Sequence, residues 1–152
     1  MLRDDINNAL KDAMKARDER RVSTLRLINS ALKNADIEAR GQGKASLGDD
    51  ELKSLLQKMI KQRHESIALY EKGGRAELAQ QERDEIAIIA AYLPKQMSEA
   101  EVQAAIEQAI ESTGAASMKD MGKVISALKA RHAGQMDFGK VSALVKEALQ
   151  GL

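Results

Sequence analysis

Along almost the whole of this 152-residue chain, apolar residues recur at intervals of three and four. That spacing matches the 3.6-residue turn of an α-helix and not the two-residue pleat of a strand. β-Branched runs are absent and there is a single proline, Pro94. The expected fold class is therefore all-α: an N-terminal helical bundle of about four helices, followed by a small C-terminal three-helix domain.

The first stripe, Leu2, Ile6, Leu10, Ala13 and Met14, predicts a helix over about 2–16. After a break at Arg17-Asp18-Glu19, Val22, Leu25, Ile28, Leu32 and Ala35 predict a second over 19–40. No strong breaker separates them, so one long kinked helix is an alternative. The glycines of 41–48 mark an exposed loop. Asp49, Asp50 and Glu51 then supply the carboxylates that a helix N-terminus favours. The third helix uses Leu52, Leu55, Leu56, Met59, Ile60, Arg63, Ile67 and Tyr70 and closes at Lys72-Gly73-Gly74. A fourth runs from about 75 to 91, with Leu78, Ile86, Ile88, Ile89 and Leu93.

Pro94 disfavours helical geometry in the residue before it and lacks an amide donor. Beyond it, Ser98-Glu99-Ala100-Glu101 fits a capping box, and Met97 and Val102 stand at hydrophobic-staple positions. The fifth helix carries Val102, Ala105, Ile106, Ala109 and Ile110 and stops at Gly114. A sixth starts at Ser117, uses Met121, Val124, Ile125 and Leu128, and ends by Gly134. The seventh starts at Asp137 and uses Val141, Leu144, Val145, Ala148 and Leu149. The expected domains are 1–95 and 96–152.

Composition narrows the function. Lys and Arg number 24 against 23 Asp and Glu, so total charge does not mark a polyanion binder. With no cysteine there is no disulfide framework, thiolate metal site or Cys nucleophile. Three aromatics are too few for base-stacking platforms. No apolar run has the roughly 20 residues of a membrane span, and the acidic start at Asp4-Asp5 is unlike a signal peptide. A soluble, cytoplasmic protein without membrane contact is expected. His64 and His132 have no partner at metal-ligand spacing, the serines lack a nucleophile-elbow context, and Gly41 and Gly43 do not form a phosphate loop. We expect no catalytic residues, metal or cofactor.

Local charge says more. Residues 53–63 carry Lys53, Lys58, Lys61 and Arg63 with no acid, and the fifth helix carries four glutamates with no base. Residues 115–152 hold six cations against three acids. Such asymmetry marks either a phosphate-contacting face or an ordinary solvated surface. Gly122, inside the first turns of the sixth helix, costs up to ~1 kcal/mol against alanine and suggests close approach of another backbone or of a ligand phosphate.

In order along the chain, several pieces together resemble the YqeY-like family. They are Ala13-Met14-Lys15, Thr24-Leu25-Arg26 with Ile28, Lys61 to Ser66 with Tyr70, Glu85, Tyr92-Leu93-Pro94, Met121-Gly122-Lys123-Val124, and Gly134 with Asp137 before the last helix. The family shares a helical domain with the tail of one of the subunits of the glutamine-dependent aspartyl/glutamyl-tRNA amidotransferase. The resemblance implies a bundle followed by a three-helix domain, and a non-catalytic, tRNA-binding type of protein. It implies at most an accessory part in carbon–nitrogen ligation with glutamine as amido donor, since amide transfer occurs in parts this chain lacks. The expected partners are tRNA or an aminoacylation or amidotransferase protein; an adaptor acting through the N-terminal helices is the alternative. The family's usual Gly-Arg-Ala-Asp is here Gly134-Gln135-Met136-Asp137, which removes an arginine from that turn.

The candidate nucleic-acid-binding residues are Lys119, Gly122, Lys123, Lys129, Arg131 and Lys140. Lys119 and Lys123, four apart, are expected on one side of the sixth helix. The N-termini of the sixth and seventh helices are expected to offer free backbone donors to phosphate. Scarce aromatics point to a double-helical feature of tRNA, read through its backbone.

Overall fold

A computed structural model describes residues 1–152. It contains seven α-helices and no strand: α1 Leu2–Lys15, α2 Glu19–Gly41, α3 Asp49–Lys72, α4 Ala76–Ala90, α5 Glu99–Thr113, α6 Met121–His132 and α7 Phe138–Gln150. A short 3-10 turn, Met118–Asp120, precedes α6. The chain divides into two compact units, Met1–Pro94 and Lys95–Leu152.

In unit 1, α1 and α2 are separate helices. Arg17 adopts the left-handed region at φ 54°, and the amides of Arg17 and Asp18 donate back to the carbonyls of Met14 (3.2 Å) and Ala13 (3.0 Å). This is a Schellman closure with arginine at the position glycine usually takes. Asp18 then caps α2 by accepting from the Arg21 amide at 3.2 Å. The break needs no proline or glycine because these backbone bonds and one carboxylate satisfy both helix ends.

The core of unit 1 joins Leu2, Ile6 and Ala13 of α1, Leu25, Ile28 and Leu32 of α2, Leu52, Leu56 and Met59 of α3, and Ile89 of α4. Met14, expected on the buried stripe, is instead 51% exposed. Position 14 lies about 100° around the helix from Ala13, and α1 is too narrow a contact to bury both. The 42–48 loop is exposed for most of its length but fastened at Leu47. Arg3 makes a two-pronged ion pair with Asp36 (2.8 and 2.6 Å) and donates to the Leu47 carbonyl, while the Leu47 amide donates to Asp36.

In unit 2, Ala105, Ile106 and Ala109 of α5 pack with Val124 and Leu128 of α6, Met136, and Val141, Val145 and Leu149 of α7. Gly114 ends α5 in the left-handed region at φ 67°. The segment ahead of α5 is pinned to the α6–α7 turn, the Met97 amide donating to the Gln135 carbonyl at 2.9 Å.

Candidate nucleic-acid interface

Three carboxylates of unit 2 serve the fronts of helices or turns. Ser98 and Glu101 form the capping box, each accepting from the other's backbone amide (3.2 and 3.1 Å). Those bonds hold the Glu101 carboxyl below its ordinary range. Asp120 accepts from the amides of Ala116 (2.9 Å) and Ser117 (3.3 Å), which lower its pKa in the same way. Asp137 caps α7 by accepting from the Gly139 amide at 3.0 Å. The expectation of free donors therefore needs correction at the front of α7; the front of α6 carries no side-chain cap, since Asp120 serves the 3-10 turn ahead of it. At α7 an acidic side chain already occupies the position where an anion would sit, because a carboxylate on the chain reaches it at no cost in association.

The candidate cations do not form one continuous face. Lys119 lies in the 3-10 turn that runs directly into α6, and not in the first turn of α6 itself. Lys123 sits in the first turn of α6, where it is attracted to Asp120. Six residues on, Lys129 is displaced by about 240° around the helix, and Arg131 by about 80°. Lys129 faces α7, its Nζ 5.8 Å from the centre of the Phe138 ring. Arg131 lies on the α5 side, where with His132 it rims a groove floored by Ala105, Ala109, Ala127 and Leu128. His132 is oriented through Nδ1, which lies 3.3 Å from the Gln135 side-chain oxygen. Lys140 is exposed in the first turn of α7.

Gly122 is exposed, and a Cβ placed on it would meet no atom within 4 Å. No neighbouring backbone demands glycine there, so helix packing does not account for it. It leaves the start of α6 bare.

In unit 1 the structure brings together a group that sequence reading missed. Arg63, 14% exposed, lies between two carboxylates of α4, its Nε 2.9 Å from Glu85 and 3.8 Å from Glu82. It also donates to the Met59 carbonyl at 3.2 Å. Glu85 is 9% exposed and Glu82 20%. Burial, and then the neighbouring Glu85, push the Glu82 carboxyl above its ordinary range. The signal was present: Arg63 stands in the apolar stripe of α3, and Glu82 and Glu85 stand at four–three–four spacing between Leu78 and Ile89. A charged residue at a core position of each helix marks a buried pair. The Thr24 hydroxyl, fully buried on α2, has no hydrogen-bond partner.

Comparison with known proteins gives a match to the family model described as Yqey-like protein over residues 3–149. The chain is 34% identical over 127 residues to altered inheritance of mitochondria protein 41, mitochondrial, of Lachancea thermotolerans, covering 80% of this chain and 66% of that one. Against the protein of the same name from Vanderwaltozyma polyspora the identity is 31% over 118 residues, covering 74% and 62%. Against that from Eremothecium gossypii it is 36% over 84 residues, covering 55% and 44%. The chain thus spans between under half and about two thirds of the length of these relatives. Their names place them in mitochondria, which overturns the expectation of a cytoplasmic protein; helix patterning carries no address that would have revealed this.

Proposed function

Because the chain belongs to the YqeY-like family, we propose that it acts without catalysing a reaction, contacting the backbone of tRNA through unit 2. The observation that carries this reading is how residues 115–152 use their charges. Asp137 serves the front of α7 and Asp120 the 3-10 turn, while Lys119, Lys123, Lys129, Arg131 and Lys140 are exposed and have no carboxylate at ion-pair distance. Cations without a carboxylate at ion-pair distance are available to phosphates, and each phosphate contact releases condensed counterions. Their spread around α6 and α7 suits a curved, double-helical backbone better than a single strand lying along one groove. The bare start of α6 at Gly122 admits a phosphate close to the helix.

The test is tRNA binding by fluorescence anisotropy across a salt series. Wild type should bind weakly, with log affinity falling against log salt at a slope of about −2.7 to −4.5, as three to five contacts to a duplex backbone require. A Lys119→Glu/Lys123→Glu variant that keeps its helicity should lose affinity and flatten the slope. Unchanged affinity at low salt in that folded variant overturns the reading.

A further inference from the structure

The helix α2 has two faces, and unit 1 occupies only one of them. Thr24, Leu25, Ile28 and Leu32 are buried in the bundle. On the opposite side Ser23, Leu27, Ser30, Asn34 and Ile37 follow one another at alternating intervals of four and three, and all five are exposed. That alternation keeps them in a single stripe along the helix, the spacing with which one helix seats another. Leu27 is 47% and Ile37 56% exposed, although α2 already buries a complete apolar face.

One flank of this stripe is basic. Arg26, Lys33 and Arg40 stand seven residues apart, so their side chains form a row with steps of about 10.5 Å. Arg26 and Lys33 close no ion pair, and Arg40 uses its Nε on the Ala45 carbonyl at 3.4 Å. On the other flank, Arg20 is already paired with Asp84 at 3.2 Å, and Glu38 is exposed.

We propose that the outer face of α2 docks an amphipathic helix of a partner protein whose flanking positions are acidic. Leu27 and Ile37 are the apolar seats. Ser30 and Asn34 between them are polar seam positions, which select register at some cost in affinity. The basic row complements acids repeated at seven-residue intervals on the partner, and such flanking charges set partner choice. A nucleic acid is the less favoured occupant, because it would lay charged backbone across Leu27 and Ile37. This surface belongs to unit 1, so the proposal stands apart from the tRNA reading of unit 2.

The probe is a labelled 21-residue helical peptide with Leu at its seam positions and Glu at the flanking ones, titrated with the full-length chain. A companion peptide carries Lys in place of Glu. The Glu peptide should bind saturably and at least about tenfold tighter than the Lys peptide, the effect of a few exposed charge pairs acting together. Leu27→Ser/Ile37→Ser should weaken the Glu peptide by about tenfold with helicity unchanged. Arg26→Glu/Lys33→Glu should invert the preference, gaining the Lys peptide, an outcome that mere misfolding cannot produce. Equal binding of both peptides, or binding indifferent to these variants, overturns the proposal. So does self-association through Leu27 and Ile37 in sedimentation, which would give the face to a second copy, or displacement of the Glu peptide by an RNA duplex.

Discussion

Replacing Glu85 by alanine should unfasten α3 from α4, and the structure sets the size of the loss. Arg63 would keep its charge at 14% exposure, with the Met59 carbonyl at 3.2 Å and Glu82 at 3.8 Å as its remaining partners. Stranding one member of a buried pair costs about 3–5 kcal/mol. Glu82 is near enough to take over part of the role, so the expected loss is about 2–3 kcal/mol. Both tyrosines, Tyr70 and Tyr92, lie in unit 1 and there is no tryptophan, so intrinsic fluorescence reports unit 1 alone. With a urea slope of about 1–1.5 kcal/mol/M for a unit of this size, the midpoint should fall by roughly 2 M. An Arg63→Met/Glu85→Leu variant, which removes the pair without stranding a charge, should lose much less. The reasoning is refuted if Glu85→Ala costs under about 0.5 kcal/mol, or if the double variant loses as much as the two single changes added together.

Two further outcomes follow from the same unit. Thr24→Val keeps the side-chain volume and removes a buried hydroxyl without a partner, so it should raise the tyrosine-detected urea midpoint by an amount equivalent to about 1 kcal/mol or more. Glu82 titrates higher in the folded chain than its ordinary value of 4.5, through burial and the proximity of Glu85. A raised folded pKa favours folding while the group is protonated, and that advantage is lost as pH rises from 4.5 through the folded value. Glu82→Gln should therefore stabilise unit 1 at pH 7 and flatten its stability between pH 4.5 and neutrality; a parallel pH dependence in the variant would assign the effect to another group.

What the sequence determined by itself is what depends on near neighbours. The three-and-four spacing makes the chain helical, the Ser98–Glu101 box starts α5, Asp137 caps α7, and Gly114 closes α5, because each involves groups within about one turn of one another. Even locally, the Arg17–Asp18 break was only half legible, since an arginine in the left-handed region has no residue-type signature. Tertiary structure decided the rest. Arg63 reads as one of four bases in 53–63 until α4 brings Glu85, 22 positions away, to 2.9 Å. The six residues grouped as a nucleic-acid face are dispersed once α6 turns Lys129 toward Phe138 and Arg131 toward α5. Leu27 and Ile37 look like ordinary members of an apolar helix until packing shows which side of α2 the bundle uses. Periodicity says which residues share a face, but which neighbour covers that face, and whether a charge there finds its opposite, is a property of how the helices come together.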